Sequence, residues 1–193
     1  MRTFPKARVD ALTDGIFAFA MTLLVLELRL PAETPIRDSA ALIAQLKALG
    51  PQYLTYVISF FVLAAHWRGE IELRRVEEVP RGALGWGVVY LFFITSVPFS
   101  SSVVGRYGDL LPAVWLYAAN MIAVAALSLR LRALEILPEH RARARAGNIQ
   151  TAVFIASALV SVTLSAVVPG HAMYAYFLNF LGEPLARWRG ADA

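Results

Sequence analysis

The sequence predicts an all-α, polytopic membrane protein with six transmembrane helices per chain, on the strength of three observations. Hydrophobic residues make up 58% of the chain and charged residues only 17%, with a mean hydropathy of +0.57. So little polar surface does not cover a soluble globule. Uncharged runs of membrane-spanning length recur along the chain, and the basic residues collect in alternate connections between them. At 193 residues the chain reads as one domain, 1–193, with no internal repeat and no low-complexity segment.

The first helix is expected at about 9–30. Twelve uncharged residues, Gly15 to Leu26, stand between Asp14 and the pair Glu27 and Arg29. Twelve residues rise only about 18 Å, short of the ~30 Å hydrocarbon core. The flanking charges therefore lie at membrane depth unless other helices or water surround them. A lipid-facing helix has little reason for such a build, whereas a helix lining a watery path through a bundle does. Phe19, Thr22 or Leu23, and Leu26 fall at i, i+3/i+4 and i+7, forming one stripe. A signal peptide is disfavoured, because Asp10 and Asp14 interrupt the basic start and more spans follow.

Pro31 to Lys47 reads as an external loop, with Asp38 or Ser39 as a helix N-cap. The second helix, about 49–72, holds the run Ala48 to Trp67 and continues past it through the i,i+4 pairs Arg68/Glu72, Glu70/Arg74 and Arg74/Glu78. The third, 82–105, and the fourth, 109–130, hold the uncharged runs Gly82 to Gly105 and Leu110 to Leu129, ended by Arg81, Arg106, Asp109 and Arg130. Glu135 to Arg145 reads as a solvated connection. The run from Ala146 to Gly182 is thirty-seven residues long, too long for one helix, and Pro169-Gly170 reads as its turn. It is divided into helices at 147–168 and 171–187.

With six spans, fourteen of the eighteen basic residues fall on the side of both termini, which the positive-inside rule makes cytoplasmic. The net charge of +4 is thus a topology signal, and no nucleic-acid partner is implied. The expected location is the cytoplasmic membrane. Most Trp residues, and Tyr53 and Tyr56, fall at expected span ends, as interfacial aromatics do. Cysteine is absent, and no nucleophile elbow, Walker A or paired-histidine zinc motif occurs. No catalytic residue, resident metal or cofactor is expected; His66 with Glu70 one turn on is a weak metal signal. There is no Thr-Val-Gly-Tyr-Gly stretch and hence no re-entrant filter loop of that kind.

Arg8, Leu12, Thr13, Asp14 and the run GIFAFAMTLLVLEL resemble the signature of the transmembrane protein 175 family of potassium channels. That signature is Arg, three residues, Phe-Ser-Asp, then an apolar helix. YVISFFVLAAHW (Tyr56 to Trp67) and ITSVPFSS (Ile94 to Ser101) resemble the family's second and third helices. Leu12-Thr13 stands where Phe-Ser is usual, and Phe19 where Ile or Leu is usual. The resemblance implies a homotetramer whose first helices line a central path for monovalent cations in the lipid bilayer. By position it assigns Phe19, Leu23 and Leu26 to apolar constriction layers and Thr22 to a neighbouring hydroxyl. Arg8, Thr13 and Asp14 form the structural motif of that helix. Glu27 falls at the pore mouth, either to concentrate cations or to pair with Arg29 or a neighbouring helix. The expected activity is passive, weakly selective potassium conduction. The alternatives are an ion- or proton-coupled transporter and a non-conducting scaffold.

Overall fold

The computed structural model describes residues 3–30, 36–73, 78–135, 141–168 and 170–181. Among them are six α-helices: α1 (Lys6–Leu26), α2 (Ser39–Ala48), α3 (Gly50–Leu73), α4 (Arg81–Tyr107), α5 (Leu111–Glu135) and α6 (Arg141–Val167). A 3₁₀ helix, Ala172–Leu181, follows. Strands β1 (Thr3–Pro5) and β2 (Glu78–Pro80) pair antiparallel, Phe4 opposite Val79, and pin the chain's start to the segment entering α4.

The expectation of six spans is overturned. Among the described residues, four helices are long and apolar enough to cross a membrane: Lys6–Leu26, Gly82–Tyr107, Leu111–Leu134 and Gly147–Val167. A fifth span arises only if Ser39–Ala48 and Gly50–Ile71 count together, and these are bent by 49°. Two physical reasons explain the shortfall. The segment after Gly170 is ten residues of 3₁₀ helix, about 20 Å at ~2.0 Å per residue, which does not cross a ~30 Å core. Within α3, Gln52, Tyr53, Tyr56 and His66 dilute the apolar run. The cytoplasmic placement of both termini was counted over those six spans and is not carried over to this set.

The section from Pro31 to Lys47 is not simply a loop, because α2 occupies its second half. Asp38 caps that helix by accepting from the Ala41 amide at 2.7 Å. Residues 31–35, the connection around Pro138 and the tail with Glu183, Arg187 and Trp188 lie outside the described residues. So do the side chains of Glu72, Arg74 and Glu78, and with them the ion pairs expected there.

Large apolar side chains from α1, α3, α4, α5 and α6 fill a continuous core: Phe17 and Leu24, Leu63, Tyr90 and Ile94, Met121, and Phe154. Within it, hydroxyl groups stitch the helices together. Ser59 of α3 is hydrogen-bonded to Ser101 of α4 (3.0 Å) and to the Tyr117 hydroxyl of α5 (2.9 Å). Asn120 of α5 donates to Ser100 of α4 at 3.1 Å. Pro98 sits inside α4 and cannot donate to the Ile94 carbonyl. A turn earlier, Thr95 and Ser96 both donate to the Phe92 carbonyl. Gly170 (φ 83°) makes the turn after α6, in a conformation that side chains with a Cβ rarely adopt, and a Cβ there would collide with the Asp109 carboxylate.

Candidate functional site

α1 is built with one face for the protein and one left open. Thr13, Phe17, Ala20 and Leu24, at i, i+4, i+7 and i+11, are its buried residues. Opposite them Leu12, Gly15, Phe19, Thr22 and Leu26 are exposed at i, i+3, i+7, i+10 and i+14. Phe19 is 63% exposed and Leu26 55%. Only 22% of the apolar window of α1 is buried, against 56% for α5. Of the four membrane-spanning helices, the first is thus covered least.

Of the residues singled out in the sequence, Phe19, Thr22 and Leu26 lie together on this open face. Leu23 is half-buried on its flank. The Thr22 hydroxyl donates to the Phe19 carbonyl at 2.8 Å. Its proton is therefore committed to the backbone, and its oxygen is left to act outward as an acceptor.

The ends of α1 are tied down. Thr13 is buried and donates to the Val9 carbonyl at 2.9 Å. Asp14 accepts from the indole nitrogen of Trp67 on α3 at 2.8 Å. Arg8 is exposed, and an ion pair between Lys6 and Asp10 (2.7 Å) braces the first turn of the helix. At the other end Glu27 accepts from the Ser102 hydroxyl at 2.6 Å and from Arg106 at 3.3 Å, both on α4. It is paired with a neighbouring helix, not with Arg29, whose guanidinium donates to the Leu26 carbonyl at 2.8 Å. A small cleft beside it is lined by Leu24, Glu27, Gln52, Tyr56, Ser101 and Arg106.

Sequence reasoning did not find Ser102 and Arg106 as partners of Glu27, and it read Trp67 as an interfacial aromatic. It also missed a buried polar group on α3, α5 and α6: Glu70, Arg132 and Thr151, with Arg132 donating to Thr151 at 3.0 Å. The sole available signal was a carboxylate at residue 70 and a guanidinium at residue 132, each at the end of an apolar run. His66 lies nearby, buried edge-on against Phe154.

The sequence model of the family described as the endosomal/lysosomal potassium channel TMEM175 matches residues 8–98. The chain is similar to a potassium channel of Chamaesiphon minutus, 30% identical over 128 residues, covering 64% of this chain and 63% of that one. A potassium channel of Streptomyces collinus is 32% identical over 104 residues, 53% of this chain and 48% of that one. The human endosomal/lysosomal proton channel TMEM175 is 37% identical over 67 residues, 32% of this chain and 13% of that one. The chain thus spans less than two thirds of the length of these relatives. Among solved structures, that of a lysosomal potassium-selective channel TMEM175 homolog from Chamaesiphon minutus superposes with a TM-score of 0.69 at 26% identity, covering 95% of this chain and 97% of that one. A structure of a variant of the potassium channel MtTMEM175, in complex with a nanobody fusion protein, shares the fold. Its TM-score is 0.55 at 14% identity, over 95% of this chain and 91% of that one.

Proposed function

We propose, from its likeness to the TMEM175 family over residues 8–98, that the chain is a member of that family and forms a passive, weakly potassium-selective cation channel. Four copies assemble in the cytoplasmic membrane with their α1 helices around a shared axis. Phe19, Leu23 and Leu26 form successive apolar layers of the neck, and Thr22 supplies a hydroxyl oxygen beside them. Glu27 stands near one mouth, held by Ser102 and Arg106.

The observation that carries this reading is the open face of α1. The stripe at Phe19, Thr22 and Leu26 is uncovered by its own bundle, while the opposite face is anchored through Phe17 and Leu24. A helix fixed on one side and bare on the other has the construction a pore wall needs.

The mechanism follows from dehydration. A ring of apolar side chains a few ångströms wide strips water from an ion, and potassium releases its water more readily than sodium. Thr22 oxygens, with their protons turned to the backbone, replace part of the lost shell. Selectivity is weaker than a ring of backbone carbonyls gives. Widening of the neck between Phe19 and Leu26 opens the path.

Reconstitution into liposomes with a potassium gradient tests the proposal. A potassium flux well above that of empty vesicles is expected, with sodium slower. Ion-tight vesicles holding folded protein would instead favour the non-conducting scaffold.

A further inference from the structure

We infer that α2 is a membrane-surface helix, lying in the headgroup region of the leaflet at the Glu27 end of the bundle and binding anionic phospholipid. Three observations combine. The first is its level. Gln52, just after the bend, packs so closely on α4 that a Cβ at Gly105 would stand 3.3 Å from the Gln52 Cα. Gly105 is in the last turn of a spanning helix, next to Arg106. α2 therefore lies at the level where α4 leaves the hydrocarbon.

The second is its faces. No residue of α2 is buried. Leu42, Ile43 and Leu46, at i, i+1 and i+4, form one bulky apolar face, exposed by 37%, 53% and 53%. The side turned toward the protein carries the half-buried Ala41 and Gln45. A helix bent by 49° from α3 with such a face finds no match in open water, and it is too short, at about 15 Å, to cross the core. The boundary between headgroups and acyl chains fits both constraints.

The third is charge. Exposed Arg37 precedes the cap and exposed Lys47 closes the last turn, while Asp38 is engaged by the Ala41 amide. Cations at both ends of an apolar face match the phosphates of an anionic leaflet.

Because the chain contains no cysteine, single spin labels test this in the full-length protein. Leu42→Cys, Ile43→Cys and Leu46→Cys are compared with Ala44→Cys on the opposite side, in phosphatidylcholine vesicles with and without phosphatidylglycerol. The first three labels are expected to be reached by oxygen and shielded from a water-soluble nickel complex, and Ala44→Cys to show the reverse. Phosphatidylglycerol is expected to deepen the three labels, and the pair Arg37→Gln and Lys47→Gln to abolish that difference. Nickel access on every face would put α2 in water and overturn the inference. Shielding of the three labels from both reagents would mean that a second copy covers the face, and would overturn it equally. Loss of the phosphatidylglycerol effect is read only on variants that elute from size-exclusion chromatography as the parent does.

Discussion

The indole N–H of Trp67 donates to a carboxylate oxygen of Asp14 across 2.8 Å, joining α3 to the first half of α1. The two residues are 53 positions apart, so this bond fixes the rotation of α1 about its axis relative to the bundle. Rotation is the property the open face depends on: a turn of one residue, about 100°, would carry Phe19 away and bring a neighbour round. A double-mutant cycle with Asp14→Ala and Trp67→Phe is expected to give a coupling of about 1 kcal/mol. Equilibrium unfolding in mixed detergent measures it. Each single variant should also disturb ion selectivity more than the stability change alone explains.

Leu24 and Leu26 are two residues apart and face opposite ways, 1% and 55% exposed. Leu24→Ala is expected to destabilise the protein by about 2–4 kcal/mol, as large-to-small changes in packed cores do. Leu26→Ala and Phe19→Ala are expected to leave stability within about 0.5 kcal/mol while changing potassium flux or the potassium-to-sodium ratio. Thermal unfolding and liposome flux on the same preparations separate the two effects. If Leu26→Ala destabilises like Leu24→Ala and leaves flux alone, the open face is not the ion path.

How much of this was visible in the chain itself depends on whether the signal is local. The runs ended by Arg81, Arg106, Asp109 and Arg130 place α4 and α5 to within a few residues, because a charge at membrane depth is costly wherever it occurs. The stripe at Phe19, Thr22 and Leu26 was legible from spacing, since a helix repeats every 3.6 residues. Run length, however, counts residues and not ångströms along an axis. It did not show that Ala172–Leu181 forms a 3₁₀ helix, or that the chain bends by 49° between α2 and α3. The partners of Glu27 lie 75 and 79 residues away, and Trp67 looks like any interfacial aromatic until α1 is set beside it. Periodicity carries no record of such pairings.

Arg106 offers a test of what Glu27 does. Arg106→Gln removes the one cation within reach of the carboxylate among the described residues, at 3.3 Å, leaving Ser102 to hold it. A negative charge at a pore mouth raises the local cation concentration, so potassium flux is expected to rise in dilute salt. The gain should vanish near 1 M, where the screening length falls to about 3 Å. Glu27→Gln is expected to lower flux in dilute salt by the same argument. Equal fluxes for both variants at low ionic strength would place Glu27 away from the ion path.

Ser59 holds two partners at once, Ser101 and Tyr117, in the middle of the bundle. Tyr117→Phe removes one of these bonds and leaves Ser59 still paired with Ser101. Ser59→Ala leaves two buried hydroxyl groups to find new partners where there is no bulk water. In membrane bundles such bonds average about 0.6 kcal/mol each, and a stranded buried hydroxyl costs about 1–3 kcal/mol. Ser59→Ala is therefore expected to destabilise about twice as much as Tyr117→Phe, although each change removes a single oxygen. Ser59→Thr keeps the hydroxyl and is expected to recover part of the loss, limited by the space for an extra methyl between α3 and α5. Unfolding midpoints for the three variants decide the order, and a larger loss for Tyr117→Phe would show that the Tyr117 hydroxyl, not Ser59, is the group on which the cluster depends.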